Sequence, residues 1–300
     1  MNRRDFTKYF LSGAALLAPG CQGVKRKPYI DCHTHIWPKF GEYPFRAGIS
    51  EKDVKPASFR AEDLMAAGKS FGFERFVLIQ HIYYHGYDYS YFRRIAGMHP
   101  GKFAVVGALD KKDPKIEQKM KADAGTEVSG YRIPSKDGEN WLLGSDMDRY
   151  WKLAAEYNQS ICLLRNRNVT LGSVYEKCRI NPQTRVVIDH YGHVDFNDRK
   201  EVEVLWRLSE LENVYLKVSK YYGNGRMELP YLDMLPFFKE VLGKFGSERL
   251  MWGSDCPYQL EAGHTYKAAY EILANHAGFL TAEERQDIFQ GTAEKVFFRN

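Results

Sequence analysis

Two histidines near the start of the chain and one aspartate near its end have the residue types and spacing of a chemical site. His33 and His35 lie in the segment YIDCHTHIW, whose apolar and β-branched residues predict a strand. Residues two apart in a strand point to the same face, so both imidazoles could share one metal ion or one substrate oxygen. Asp255 follows the apolar segment LMWGS at the end of a second predicted strand. The alternative for the pair is two ordinary histidines at a strand end.

The elements that would position these side chains follow a repeated pattern of strand and helix. After a longer first gap, eight apolar segments recur about every 25–35 residues, the length of one βα unit. The predicted strands cover residues 29–35, 76–81, 103–109, 128–133, 161–164, 185–190, 214–218 and 250–255. Helical patterns cover residues 59–71, 147–157, 202–211, 231–244, 265–274 and 282–289.

This pattern predicts one closed (β/α)8 TIM-like barrel over residues 28–300. A doubly wound sheet is the alternative, although no glycine-rich phosphate loop follows the first strand. A barrel of this kind has its active site at the C-terminal ends of the strands. Polar residues stand at these ends: His33, His35, Gln80, His81, Arg132, Arg165, His190, Lys217, Lys220 and Asp255. The other histidines are expected in loops or at the surface: His85, His99, His193, His264 and His276.

Asp255 is the one acidic residue at the end of a predicted strand, which makes it the candidate general base for activating water. His190 is the second candidate catalytic residue, because its imidazole could polarise a carbonyl or protonate a leaving group. Structural alternatives stay open for both residues. Asp255 could be a helix N-cap, and His190 could be a core histidine hydrogen-bonded to Asp189.

A further group of residues is expected to bind the substrate: Gln80, His81, Tyr84, Arg132 and Arg165. Arginine can hold a carboxylate through two parallel hydrogen bonds, so Arg132 and Arg165 indicate an anionic substrate. Tyr84 belongs to a tyrosine-rich loop at residues 83–91, whose rings could stack on a flat ring or sugar face. The alternatives are that Arg165 is a solvated loop charge and that the tyrosines seat the following helix.

Three motifs, in this order, resemble the amidohydrolase superfamily: DxHxH at residues 31–35, IDHYG at 188–192 and WGSDxP at 252–257. GYR at 130–132 and NVYLKVS at 213–219 are similar to elements of the amidohydrolase-related branch, which includes sugar-acid lactonases and pyrone-dicarboxylate lactonase. The resemblance covers roughly residues 28–300. It implies a barrel hydrolase with its site at these motifs.

The sequence departs from the metal-bound members of that superfamily at two strands. The fifth predicted strand, ICLLR, has no histidine, and the fourth ends in Arg132 rather than lysine. The resemblance therefore implies at most one divalent metal, zinc or manganese, bound by His33, His35 and Asp255. His190 or water would complete the coordination. Some lactonases of this branch work without metal, so a metal-independent site stays open.

The resulting hypothesis is a hydrolase that opens a lactone of a sugar acid or of a small carboxylated ring. Asp255 would activate the water, and histidines or a metal would polarise the carbonyl. One alternative is a decarboxylase of the same branch, which would use the same strand ends. The other is an exported small-molecule-binding barrel without catalysis. The presence of Asp255 counts against a binding protein, which has no need of a general base.

The first 27 residues have the composition of an export signal and tether. Arg3 and Arg4 resemble a twin-arginine motif, and residues 11–18 are an apolar run too short to span a bilayer. Cys21 lies where a lipoprotein processing site would place its cysteine. We therefore expect a bacterial periplasmic protein or a lipoprotein anchored through Cys21.

The charge and the cysteine content of the chain limit the kinds of partner and site that we expect. The formal net charge is +5, and residues 1–27 carry all of it. Residues 28–300 show no basic patch with interleaved aromatics, so we expect a small-molecule substrate and no nucleic acid. The remaining cysteines have no CxxC spacing, which favours buried free thiols. Cys32 and Cys256 should face away from the site if strand alternation holds. The oligomeric state stays open.

Overall fold

The computed structural model describes residues 27–135 and 138–298. Within these residues, eight parallel strands form one sheet in sequence order. The strands are β1 Tyr29–Thr34, β2 Phe73–Ile79, β3 Phe103–Gly107, β4 Val128–Pro134, β5 Ser160–Leu164, β6 Val186–Ile188, β7 Val214–Ser219 and β8 Leu250–Gly253. β1 and β8 meet through a parallel bridge between Thr34 and Cys256. The predicted (β/α)8 barrel is confirmed.

Helices alternate with these strands on the outside of the barrel. In the described part of the chain they are α1 Ala61–Lys69, α2 Ile82–His85, α3 Ser90–Met98, α4 Ile116–Asp123, α5 Ser145–Glu156, α6 Gly172–Ile180, α7 Arg199–Ser209, α8 Leu235–Phe245, α9 Tyr266–Glu271, α10 Ala282–Gln286 and α11 Thr292–Phe297. Single π-helical turns, Ile272–His276 and Asp287–Gly291, continue α9 and α10. Across residues 27–135 and 138–298, no helix combines the length and apolar character needed to cross a membrane.

The expected twin-arginine motif and the lipid site at Cys21 lie outside the described residues. Five predicted strands, β1, β2, β3, β6 and β8, end one or two residues earlier than expected. β6 ends at Ile188 and β8 at Gly253, because His190 and Asp255 both have a positive φ and leave the extended conformation. His190 and Asp255 therefore lie on the loops just beyond their strands.

Strand alternation divides the core into two layers. Outward residues pack against the helices, while inward residues fill the barrel lumen. The lumen cluster contains Ile30, Cys32, Val77, Ile79, Ala104, Val106, Cys162, Val187, Tyr215 and Met251. Ala293, Val296 and Phe297 of α11 pack against the same cluster. The lumen is therefore a packed core that supports the strand ends.

β1 contains an irregularity that changes which residues face inward. Asp31 pairs with Phe76 and Thr34 with Leu78, so β1 has one residue more than β2 over this stretch. The expectation that Cys32 faces away from the site is therefore wrong, because Cys32 packs with Ile30 in the lumen cluster, below the strand ends that carry the site. Cys256 does pack in the outer layer. All four described cysteines are buried and free, as predicted.

A buried carboxylate fastens β1 to β8. Asp31 Oδ1 accepts a hydrogen bond of 2.8 Å from the Ser254 amide, and Oδ2 accepts one of 3.0 Å from the Tyr266 hydroxyl. The backbone adds an Asp255 amide bond of 2.8 Å to the His33 carbonyl. Gly253 allows this approach, because a Cβ there would lie 2.7 Å from Cβ of His33. These contacts set the position of His33 relative to Asp255.

The Gly253→Ala substitution tests this close approach. The added methyl group has to push β8 away from His33, so we expect a loss of about 1–3 kcal/mol in the free energy of unfolding. Urea unfolding followed by circular dichroism measures it. Gly243→Ala in α8 is the matched control, because a Cβ at Gly243 meets no atom within 4 Å. The control substitution should raise the free energy of unfolding by about 0.5–1 kcal/mol. An equal rise for Gly253→Ala would contradict the close approach of β8 to His33.

Candidate active site

The carboxylate of Asp255 lies among three histidines above the lumen. Its Oδ1 atom is 3.3 Å from Nε2 of His35 and 3.5 Å from Nε2 of His33. Its Oδ2 atom is 3.8 Å from Nε2 of His190 and accepts a hydrogen bond of 2.6 Å from the Tyr222 hydroxyl. The carboxylate and the three imidazoles are buried. Three strand ends, those of β1, β6 and β8, therefore converge on one carboxylate.

A backbone carbonyl determines the tautomer of His35. The Ile79 carbonyl oxygen lies 2.7 Å from Nδ1 of His35 and can only accept, so Nδ1 carries the proton. In the neutral ring Nε2 then directs a lone pair at Oδ1 of Asp255, which is also an acceptor. Two acceptors 3.3 Å apart require a metal cation or an additional proton between them.

His33, His190 and Asp255 form a group that could hold a metal ion. One ligand atom from each lies within 4.8 Å of the others. Nε2 of His33 is buried and has no hydrogen-bond partner among the described residues. Burial lowers the pKa of His33 and of His190 well below the ordinary value, which keeps both imidazoles neutral.

The distances also suit a metal. Two ligand atoms bound tetrahedrally to one zinc ion lie about 3.3–3.4 Å apart. The histidine nitrogens lie 3.3–3.8 Å from the nearer oxygen of Asp255. His190, expected as a catalytic residue, thus lies in the candidate metal group, and His35 lies directly beside it.

A buried ion pair lies next to His33. Nζ of Lys217 is 3.1 Å from Oδ1 of Asp189, and neither side chain is exposed. Burial is the largest single effect and would lower the pKa of Lys217, but the Asp189 carboxylate together with Cys162 and Cys32 raises it above the ordinary value. Burial alone would raise the pKa of Asp189, but Lys217 and then Arg132 outweigh this effect and lower it. Both groups are therefore charged at neutral pH.

The ion pair orients His33. Nζ of Lys217 donates a hydrogen bond of 3.2 Å to Nδ1 of His33, and Oδ1 of Asp189 lies 3.3 Å from the same nitrogen. These contacts fix the direction of the ring, so that Nε2 of His33 faces Oδ1 of Asp255 at 3.5 Å. The alternative of a hydrogen bond between His190 and Asp189 is not the arrangement found, because Nδ1 of His190 is 2.8 Å from the Ser219 hydroxyl.

The backbone that carries His190 is strained. His190, Tyr191, Gly192 and His193 have φ values of 56°, 54°, 67° and 52°. A left-handed conformation costs about 1–2 kcal/mol for each residue with a side chain. Arg165 offsets this cost, because its guanidinium donates hydrogen bonds of 2.6 Å to the Gly192 and His193 carbonyls. Strain held in this way is typical of a site where side-chain direction matters.

A cavity of about 360 Å³ opens above these residues at the C-terminal ends of the strands. Of the residues expected from the sequence, it is lined by His35, His81, Arg132, His190 and Asp255. His81 continues the inward positions of β2, and Arg132 is an inward residue of β4. The face of the strand on which a residue lies, inward or outward, therefore determines whether a strand-end residue reaches the cavity.

Gln80 and Tyr84, both expected to bind substrate, do not line this cavity. Gln80 is one residue out of phase with His81, and its Nε2 donates to the Gly86 and Asp88 carbonyls. The Tyr84 hydroxyl donates to the Asp53 carbonyl at 3.1 Å. Both side chains hold loops beside the cavity, and the Tyr84 hydroxyl bonds to the preceding loop at residues 53–55, not to the following helix.

Arg165 does not line the cavity either. It follows Leu164, which does, and therefore points to the other side of β5. Besides the two carbonyls of the left-handed turn, its guanidinium contacts the Val169 carbonyl and the Glu201 carboxylate. Its expected role in substrate binding is replaced by a structural one. The alternative of a solvated loop charge also fails, since Arg165 is 1% exposed.

Lys220, expected at a strand end, also lines the cavity, together with three residues that sequence reasoning left out of the site: His193, Tyr222 and Tyr258. His193 is buried, not a surface histidine, and burial followed by the Lys220 charge lowers its pKa to about 4. Its Nδ1 donates to the Arg165 carbonyl, so its Nε2 accepts from Nζ of Lys220 at 3.4 Å. The spacing between His190 and His193 was the sequence signal that could have placed His193 in the site. The two tyrosines come from loops, where the sequence shows no pattern.

Comparison with characterised proteins points to one family. A 4-sulfomuconolactone hydrolase of Rhizobium radiobacter is 23% identical over 257 residues, which is 80% of this chain and 82% of that protein. An L-fucono-1,5-lactonase of Burkholderia ambifaria is 26% identical over 285 residues, covering 88% of this chain and 93% of that protein. Both names describe enzymes that act on lactones.

Solved structures have the same fold. A Burkholderia multivorans amidohydrolase with bound zinc aligns with a TM-score of 0.76 at 21% identity, covering 91% of this chain and all of that one. A Pseudomonas putida protein described as a 2-pyrone-4,6-dicarboxylic acid hydrolase aligns with a TM-score of 0.74 at 23% identity, covering 90% and 97%. The amidohydrolase family model matches residues 30–299. This chain therefore belongs to the amidohydrolase family.

Proposed function

We propose that this protein hydrolyses the ester bond of a small lactone, with Asp255 as the general base. The observation that carries the proposal is the Asp255 carboxylate, buried at the floor of the cavity beside three imidazoles. The relatives named as lactonases support the reaction class. A pure binding barrel has no need of a base at this position, whereas a decarboxylase would use the same strand ends and differs in the product it releases.

The residues can divide the reaction among them. Asp255 takes a proton from water as the water oxygen bonds to the lactone carbonyl carbon. The ring carbon–oxygen bond then breaks, and the proton passes to the ring oxygen, which leaves as a hydroxyl group. Burial and then the Asp255 charge raise the pKa of Tyr222 well above its ordinary value, so Tyr222 stays a hydrogen-bond donor that holds the carboxylate in place.

The donor set fits one divalent metal. A metal bound by His33, His190 and Asp255 supplies Lewis-acid polarisation of the carbonyl and lowers the pKa of a bound water. Imidazole and carboxylate donors suit zinc, with manganese as the alternative. His35, whose lone pair faces Asp255, is placed to complete the set. The ion pair of Lys217 and Asp189 contacts Nδ1 of His33 and would hold its ring with Nε2 directed at the metal.

The substrate we propose carries an acidic group. Arg132 and Lys220 both line the cavity, and Asp255 is the acidic residue among its lining side chains. Burial lowers the pKa of Lys220, and its ammonium contacts Nε2 of His193 at 3.4 Å. A substrate carboxylate between Arg132 and Lys220 would receive charge-assisted hydrogen bonds from both.

The Asp255→Asn variant tests the reaction. We expect turnover of a panel of γ- and δ-lactones to fall by about 10²–10⁴-fold, since the amide cannot accept the water proton. A pH-indicator assay measures the acid released. Asp146→Asn, at an exposed position in α5, is the control and should keep full activity. Carbon dioxide release, or tight binding without turnover by wild type, would move the assignment to the decarboxylase or the binding protein.

Metal analysis tests the donor set. We expect about one zinc or manganese ion per chain by elemental analysis, and loss of lactone turnover on chelation with recovery on adding zinc. His33→Ala should lower the bound metal at least tenfold, because it removes an imidazole ligand. His276→Ala, at an exposed position, should retain the metal. Full activity in metal-free protein would show that the histidines act directly on the carbonyl.

The Lys220→Met variant tests the anionic substrate. Loss of one charge-assisted hydrogen bond should raise KM for a carboxylated lactone about tenfold, and more than for the same lactone as its methyl ester. Lys220→Arg should restore much of the difference, because it keeps the charge. Steady-state kinetics on the two substrates give the result. Equal effects on acid and ester would show that Lys220 does not contact the acidic group.

A further inference from the structure

A second cavity of about 450 Å³ lies at the ends of β3 and β4, and Arg132 lines both this cavity and the catalytic one. β3 and β4 are paired neighbours, so the loops that follow them meet at the same edge of the barrel mouth. We call this space the side cavity. A ligand bound at Asp255 could extend past Arg132 into it.

The inner wall of the side cavity is apolar and aromatic. It is formed by Leu109, Ile133, Trp141, Met147 and Tyr150, all of which are buried. The Trp141 indole is held in place by a hydrogen bond of 3.3 Å to the Ser173 hydroxyl. Buried aromatic side chains around open space form a surface on which a flat or apolar group can pack. Such a wall favours a ring or a carbon chain over a second ionic site.

The rim of the side cavity is basic. Lys111 and Lys112 follow β3 and line the cavity together with Arg132, while Asp110 is the acidic residue in the lining. Asp110 accepts a hydrogen bond from the Lys112 amide, so its carboxylate shapes the turn. Three basic residues against one acidic residue give the rim an excess of positive charge. An acidic group at the outer end of a ligand would be attracted to it.

Arg132 has donor capacity left at the boundary between the cavities. Its Nη2 is 3.6 Å from Oδ2 of Asp189, and its Nη1 donates to the Gln80 carbonyl at 3.4 Å. Nε of Arg132 is buried and has no hydrogen-bond partner within the described residues. A 7% exposed guanidinium with an unused N–H can bind a ligand that crosses from one cavity to the other.

We propose that the side cavity is a second substrate subsite, which binds a flat or apolar substituent ending in an acidic group. This inference rests on the proposed lactone hydrolysis and adds a substrate class to it. The scissile ester lies over Asp255, the substituent packs on Trp141 and Met147, and its acidic end meets Lys111 and Lys112. The substrate is then larger than a single small lactone ring.

Three lactones test the apolar wall and the basic rim of the subsite separately. They are δ-valerolactone, its phenyl derivative and its 4-carboxyphenyl derivative, each assayed with the full-length protein. We expect kcat/KM to rise at least tenfold from the unsubstituted to the 4-carboxyphenyl lactone, with the phenyl lactone between them. Equal kcat/KM for all three would overturn the proposal.

Two variants assign the preference to the side cavity. Met147→Trp fills the space and should reduce the preference for the 4-carboxyphenyl lactone at least tenfold. Lys112→Glu, at an exposed rim position, should reduce the preference for 4-carboxyphenyl over phenyl at least threefold. Lys121→Glu, exposed on α4 and outside the lining, is the charge-matched control and should change neither ratio. A preference that survives both Met147→Trp and Lys112→Glu would place the substituent elsewhere.

Failure of the lactone hypothesis can be told apart from failure of the subsite. If no lactone is hydrolysed, the proposed reaction fails, and calorimetric binding of the 4-carboxyphenyl lactone tests the subsite alone. Binding that Lys112→Glu weakens at least threefold and Lys121→Glu leaves unchanged would support the subsite. Binding that both variants leave unchanged would overturn it.

Discussion

The junction between the first and last strands is the constraint on which the site depends. His33 belongs to β1, His35 follows it directly and Asp255 follows β8, so their separation is set by how closely these strands approach. Asp31 accepts hydrogen bonds from the Ser254 amide and the Tyr266 hydroxyl, and Gly253 leaves room for His33. A buried carboxylate with several donors is costly to separate from them. The barrel closure and the distance between His33 and Asp255 are therefore one structural feature.

A second layer of interactions sets side-chain direction. The Asp189 carboxylate holds Lys217 and His33 together in the lumen, and the Ile79 carbonyl holds His35. The Ile79 carbonyl fixes which nitrogen of His35 carries the proton, and the ion pair fixes the direction of the His33 ring. Arg165 acts on the backbone instead, by bonding the carbonyls of the left-handed turn. Preorganisation of this kind reduces the rearrangement needed when a ligand binds.

The sequence predicted the fold and the main strand ends because both follow from periodicity. Eight apolar segments and their spacing determine the barrel, and the barrel places strand ends together. The face of the strand to which each side chain points was harder to predict. Gln80 and Arg165 are each one residue out of phase with a residue that lines the cavity, and the extra residue in β1 breaks the alternation between Asp31 and Thr34. Register is a property of strand pairing, which a single sequence does not show.

Loops account for the residues that the sequence did not reveal. Tyr222 and Tyr258 reach the cavity from turns after β7 and β8, and His193 does so because four consecutive residues adopt a left-handed conformation. No residue pattern predicts that turn, since only Gly192 within it prefers a positive φ. Its position depends on Arg165, a residue from another strand. Tertiary contacts of this kind lie beyond what local sequence patterns encode.

The charges around the cavity are unbalanced in a way that bears on the substrate. Lys217 and Arg132 share the carboxylate of Asp189, so two cations meet one anion beneath the cavity. Lys220 adds a further basic group at the wall, and a divalent metal at Asp255 would add more positive charge. A neutral ligand would leave this excess uncompensated in a site that is largely shielded from water. An acidic ligand would offset it, which supports the acidic substrate that we propose.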